Sequence, residues 1–338
     1  MSKRIILLTN LGSPDSTSVK DVRRYLNEFL MDERVIDLPY LGRLLLVRGI
    51  ISPFRAPKSA AKYRAIWTED GSPLIVITHQ LAKKVAEIAQ LPTYVCMRYA
   101  NPSPMSAFKK IASEHPDAEE VVLFPLYPHY AMSSYETAVE YVKKVHHKGK
   151  YSFRLKVIEP YYNQPSYIEA LAASISPFIE EDDYDHVLFS YHGIPERHIL
   201  KSDMSRQHCL KVTDCCRVHS PAHATCYRHQ VMETTRLVAD RLGLTQDLFS
   251  VSFQSRLGRN KWLSPATSEQ LEDFPARGIK KILVVSPAFA SDCLETLEEI
   301  HMEGRETFIK AGGVTYTTVP CLNTNNDWVE ALVQIING

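Results

Sequence analysis

The chain has 338 residues, 45% of them hydrophobic, and its 39 lysines and arginines balance 39 aspartates and glutamates. That is enough apolar chain to fill two α/β cores, and it excludes a disordered or fibrous protein. With no net charge there is no global field to gather nucleic acid, so any electrostatic function has to be local.

At the start, Lys3 and Arg4 precede only four apolar residues, Ile5 to Leu8, far short of a secretory core. The expectation is a cytoplasmic protein. Arg4 to Thr9 predicts a buried strand that ends in the turn Asn10-Leu11-Gly12-Ser13-Pro14. A helix follows from Val19 to Leu30. Neither G-x-G-x-x-G nor a P-loop occurs in the chain, so no nucleotide cofactor is expected. The stretch from Leu38 to Phe54 mixes Leu41, Leu44, Leu45, Ile50 and Ile51 with Arg43 and Arg48. It is too short and too charged to span a bilayer. It suits either a core helix or a greasy, cation-edged lip in peripheral contact with a membrane. Pro73 to Ala89 predicts another helix, with proline in its first turn.

Strands are expected at Thr93 to Tyr99, Val121 to Leu126 and Phe153 to Ile158, and, past Tyr161-Tyr162-Asn163-Gln164-Pro165, at His186 to Ser190, Leu248 to Phe253, Lys281 to Ser286 and Val314 to Val319. Strands alternating with helical stretches give parallel sheets. The expected fold is therefore α/β, with two doubly wound Rossmann-like domains and an active-site cleft between them. Residues 1–160 would form the first domain, completed by a C-terminal helix at 320–338, and 161–319 the second, which carries a cysteine loop at 199–226. Composition leaves both monomer and homodimer open.

Three constellations carry chemistry. The apolar strand His186 to Ser190 runs into Tyr191-His192-Gly193-Ile194-Pro195, which places His192 at a strand's carboxyl end, where ligands of open α/β sheets bind. Histidine is the side chain whose ordinary pKa suits it to move protons near neutrality. After the strand Lys281 to Ser286, a helix near Asp292 sets Asp292, Glu295 and Glu299 on one face. These acids either cap the helix or pass cations and protons. Cys209, Cys215, Cys216 and Cys226, four of the 7 cysteines, fall within one loop. In a reducing cytosol they predict a metal site rather than disulfides. Adjacent Cys215 and Cys216 suit the two irons of a [2Fe-2S] cluster better than one zinc. Zinc with His208, His219 or His223, and free thiols, stay open. Aromatic rims at Tyr127-Pro128-His129-Tyr130, Arg98-Tyr99, Tyr191, Phe289 and Trp262 suggest a flat apolar ligand.

Leu7 to Pro14, Arg98-Tyr99, Tyr127-Pro128-His129-Tyr130, Ser190 to Pro195, Gln254-Ser255-Arg256, Trp262-Leu263 and Ser291-Asp292-Cys293-Leu294-Glu295-Thr296-Leu297 together resemble ferrochelatase, in the family's order and over nearly the whole chain. The resemblance implies a lyase that inserts Fe2+ into a porphyrin at the end of haem synthesis. It implies His192 as the histidine of the insertion site, Glu295 as its paired carboxylate, and Glu299 as the adjacent acid. It also implies Arg98, Tyr99 and Tyr127 as pocket residues. To these the sequence reading adds Leu11, Tyr191 and Trp262 in the pocket and Asp292 among the metal-handling acids. Some members of the family carry a [2Fe-2S] cluster in an internal loop. Relatives acting on coproporphyrin tend to have tyrosine where this chain has Leu11, which favours protoporphyrin IX. Cys293 stands where many relatives have histidine. The alternatives are a coproporphyrin III ferrochelatase or another tetrapyrrole chelatase, and, from a different class, a non-catalytic haem or metal carrier.

Overall fold

In a computed structural model describing residues 3–256 and 260–338, the chain divides into two compact units. Met1 and Ser2, the first residues of the leader reading, lie outside the described residues. The first unit holds the residues through Leu126, then Met132–Glu159 and Ile336–Gly338, and the second holds Tyr127–Ala131 and Pro160–Ile335.

In the first unit, β1 (Arg4–Asn10), β2 (Thr93–Met97), β3 (Glu120–Pro125) and β4 (Arg154–Val157) form a parallel sheet in the order β2-β1-β3-β4. In the second unit, β5 (His186–His192), β6 (Phe249–Gln254), β7 (Lys281–Val285) and β8 (Thr315–Thr318) repeat it as β6-β5-β7-β8. All eight expected strands are present. The central strands read as continuous apolar runs because helices cover both faces of such sheets. Ile6, Leu7 and Leu8 in β1, and Leu188 and Phe189 in β5, are 0% exposed. Each such side chain contributes roughly 1.5–3 kcal/mol by leaving water. The order also reverses direction between β5 and β7, which makes their carboxyl ends the topological switch point.

Three expectations are corrected. The stretch from Leu38 to Phe54 is not one regular helix. Tyr40–Leu44 is α-helical, Leu45–Ile51 has wider π-type turns, and an α-helix resumes at Ser52–Ile66. The C-terminal helix, Asn326–Asn337, does not complete the first domain, because through Ile335 it belongs to the second unit. There Trp328, 0% exposed, packs its ring 5.8 Å from that of Tyr161 and 5.9 Å from that of Tyr167. Only the last residues join the first unit, where Arg4 donates to the Ile336 carbonyl at 2.7 Å. Tyr127–Ala131 also moves to the second unit, since His129 Nε2 lies 2.9 Å from Thr234 Oγ1 and the Tyr130 amide donates to Gln230 at 2.6 Å.

Candidate active site

His192 is the last residue of β5, and its main chain is pinned from two sides. Its carbonyl accepts from the Tyr227 hydroxyl at 2.9 Å, and the next amide, Gly193, donates to Gln254 O on β6 at 2.8 Å. Glycine is required at 193 because a Cβ there would lie 2.7 Å from Gln254 O. His192 Nδ1 is 2.7 Å from the Gly193 carbonyl. A carbonyl can only accept, so in the neutral ring the proton sits on Nδ1 and Nε2 keeps its lone pair. Among the described residues Nε2 meets no hydrogen-bond partner, which leaves its lone pair available. Trp262 pairs with Pro195 across the turn, and the Phe289 ring lies 6.3 Å from the imidazole.

The carboxylates follow β7. Glu295–Gly304 winds with π-type turns before an α-helix at Arg305–Lys310, and such wide turns are rare and recur at functional sites. Glu295 and Glu299 are both half-buried on this segment. Burial raises the Glu299 carboxyl above its ordinary value, and Glu295 raises it further, while hydrogen bonds from Ser255 and the field of His192 pull it down. The fields of His192 and Glu295 thus both reach Glu299. Burial, with the nearby Glu295 charge, holds the Cys293 thiol well above its usual pKa.

Asp292 is corrected. It clamps the chain and is not free to handle metal. Thr296 donates to its Oδ1 at 2.8 Å and Asn323 to its Oδ2 at 2.6 Å, while its own amide donates to Asn323 Oδ1 at 2.8 Å. The segment Glu295–Gly304 has no side-chain cap hydrogen bond, so neither Asp292 nor Glu295 caps it. Nothing near Asp292 in the sequence signals Asn323, 31 positions on.

The pocket residues divide. Leu11 is half-buried at the end of β1, and its carbonyl accepts from the Tyr99 amide. Arg98 bonds Asp32 and Thr137 and lies 4.3 Å over the rings of both Tyr99 and Tyr141. Tyr99, Tyr127 and Tyr191 are corrected, because their side chains are buried among the protein's own residues. Tyr99 is 0% exposed with its hydroxyl on Asp32, Tyr191 is 0% exposed with its hydroxyl 2.8 Å from Thr235, and Tyr127 is nearly enclosed.

In the cysteine loop, Cys209, Cys215 and Cys226 are buried and Cys216 half-buried. Burial raises the Cys209 thiol above its ordinary range, and the neighbouring Cys226 together with burial raises that of Cys216. The Leu210 amide and Arg228 both donate to Cys215 Sγ, at 3.3 and 3.9 Å. His208 and His223 bond the Cys215 carbonyl, and His229 that of Cys216. One ring nitrogen each of His208, His223 and His229 is thus occupied with the loop's backbone, and His219 is exposed. Among the described residues, no three His, Cys, Asp or Glu side chains converge to hold a single metal ion. The loop also has its own frame in Asp203, which accepts from the amides of Ser205, His208 and Cys209. Burial would raise Asp203, but those bonds hold it well below the usual carboxylate range.

A family model described as ferrochelatase matches residues 3–338. The chain is 51% identical to a ferrochelatase of Opitutus terrae over 99% of its own length and 97% of that protein. It is 48% identical to one from Stutzerimonas stutzeri over 99% and 98%. Among solved structures, SirB from Bacillus subtilis with Fe3+ superposes with a TM-score of 0.53 at 13% identity, covering 100% of this chain and 95% of that one. At that identity the likeness extends to the fold.

Proposed function

The chain belongs to the ferrochelatase family and is a lyase of haem biosynthesis that inserts ferrous iron into a porphyrin, and from that premise we propose how its second unit performs the step. What supports the reading is the placement of His192 at the carboxyl end of β5, beside the β5/β7 switch point, with Gln254 bonding both the turn after His192 and the Glu295 carbonyl and Ser255 bonding Glu299. Insertion removes two pyrrole protons, strips water from Fe2+ and bends a flat ring, with no change of oxidation state. His192 accepts the protons. Glu295 and Glu299 supply hard oxygen ligands that hold the cation and release it to the ring nitrogens. Trp262 and Phe289 press on the macrocycle beside the histidine, and binding energy spent far from the metal is what distorts it. Mixing Fe2+ and porphyrin with the purified protein without oxygen, and following the haem spectrum, tests this. We assign protoporphyrin IX as the substrate on account of Leu11, and a faster rate with coproporphyrin III would reverse that choice.

The four cysteines fit a [2Fe-2S] cluster, since three buried thiols and a half-buried one share a single loop, and amide and guanidinium donors on Cys215 are the surroundings thiolate-bound iron requires. Cys209, Cys215, Cys216 and Cys226 would hold it, and when bound it would supply a redox-active, folding-linked brace for the loop. Iron insertion needs no electron, so the cluster's role is structural or sensing. The purified protein is expected to be red-brown. Serine at any of the four positions should bleach it and lower its melting temperature, and serine at Cys96 or Cys321 should do neither. A colourless protein carrying one zinc per chain would refute the cluster.

No described helix is long and apolar enough to cross a membrane. Leu41, Leu45, Ile50 and Phe54 are 58–73% exposed, while Leu44 and Ile51 of the expected lip are half-buried. An exposed apolar patch with Arg48 beside it suits peripheral contact with a bilayer, which would shorten the path of poorly soluble tetrapyrroles. Serine at Leu41, Leu45, Ile50 and Phe54 together should weaken binding to anionic vesicles at least about tenfold, by loss of buried apolar area. Unchanged vesicle sedimentation would leave the patch without that role.

A further inference from the structure

We propose that Ser255 is a positioning residue that holds Glu299 in its working orientation, an inference that rests on the reading of Glu299 as a metal-handling acid. Ser255 directly follows β6 with φ +65°, a left-handed conformation that non-glycine residues seldom adopt and that is retained where surrounding structure enforces it. The consequence is geometric. Its amide donates to Glu299 Oε1 at 2.7 Å while its hydroxyl donates to Oε2 at 2.5 Å, so one residue grips both oxygens of one carboxylate. A free glutamate turns about three bonds, and a two-point hold removes most of that freedom before substrate arrives.

The residue before it extends the device. Gln254 is 3% exposed, its Oε1 accepts from Ser190 on β5 at 3.0 Å, and its Nε2 donates to the Glu295 carbonyl at 3.1 Å. Its own carbonyl receives the Gly193 amide that fixes the turn after His192. Two consecutive residues thereby tie the base, the first acid and the second acid into one frame.

Glycine at 255 relieves the backbone conformation and keeps the amide donor, so Ser255→Gly removes the hydroxyl alone and should fold with an unchanged or higher melting temperature. The expected result is a fall in kcat of about tenfold, the size of one lost charge-assisted hydrogen bond, with the KM for porphyrin unchanged. Because Ser255 acts through Glu299, the losses should not add, and Ser255→Gly placed on Glu299→Ala should cost less than about twofold more. Additive losses would overturn the proposal, and so would a raised porphyrin KM at normal kcat, which would make Ser255 a substrate contact. If Glu299→Ala is impaired and Ser255→Gly is not, the positioning role fails while Glu299 keeps its place. If neither variant is impaired, the reading of Glu299 fails and takes this inference with it.

Discussion

Replacing His192 with alanine is expected to lower iron insertion by about a hundredfold or more, the scale on which a positioned general base contributes. The loss should appear in turnover and not in folding. The imidazole is half-buried at the very end of β5, and the strand there is held by main-chain bonds from Tyr227 and Gly193 that alanine leaves intact. Porphyrin affinity, read by fluorescence quenching, should stay within a few-fold of the parent value, because Trp262 and Phe289 remain. The Nδ1 proton is committed to the Gly193 carbonyl, so the reactive face of the ring is Nε2. Added imidazole, which offers the same lone pair without the tether, should restore part of the rate to the alanine variant. Near-normal turnover in that variant would remove His192 from the mechanism.

The central strands were legible because buried parallel strands read as short continuous apolar runs bounded by turn residues, and the edge strands β4 and β8, which are not apolar throughout, were legible from their place in the strand–helix alternation. His192 was legible for a related reason, since Gly193 and Pro195 stop the strand and fix which residue tops it. The error over Tyr191 was avoidable on the same grounds. Successive side chains on a strand point to opposite faces, so the neighbour of a site-facing histidine belongs to the packing beneath, as its bond to Thr235 shows. Other features lay beyond sequence reading. The π-type turns of Leu45–Ile51 and Glu295–Gly304 repeat at a spacing too close to that of an α-helix to be told apart over seven to ten residues. Asp292 was misassigned because its partner Asn323 is distant in the chain, and Tyr99 because Asp32, which takes its hydroxyl, is 67 positions away. Ser255 gave no signal apart from its place in a shared motif. Its grip on Glu299 depends on a backbone angle that composition does not report.

Glu295→Gln should cut turnover at least as severely as the loss of a transition-state contact allows, about a hundredfold, while the fold barely changes. The substitution keeps the shape and an oxygen acceptor, so what is removed is the negative charge that draws Fe2+ out of water. A helix-capping role makes the opposite forecast, in which stability falls by roughly 0.5–2 kcal/mol and turnover per folded molecule is normal. The structure separates the two roles, because Glu295 makes no cap hydrogen bond and the turn before it is held by Asp292 with Thr296 and Asn323. Asp292→Ala is therefore the matched control and should lose stability in that range through the broken clamp. Any rate lost in that control should follow from displacement of the segment that carries Glu295. Chemical denaturation and single-turnover insertion measured on both variants decide the matter. If Glu295→Gln unfolds more easily and inserts iron normally, its carboxylate is a structural acid and the metal must be handled by Glu299 with His192.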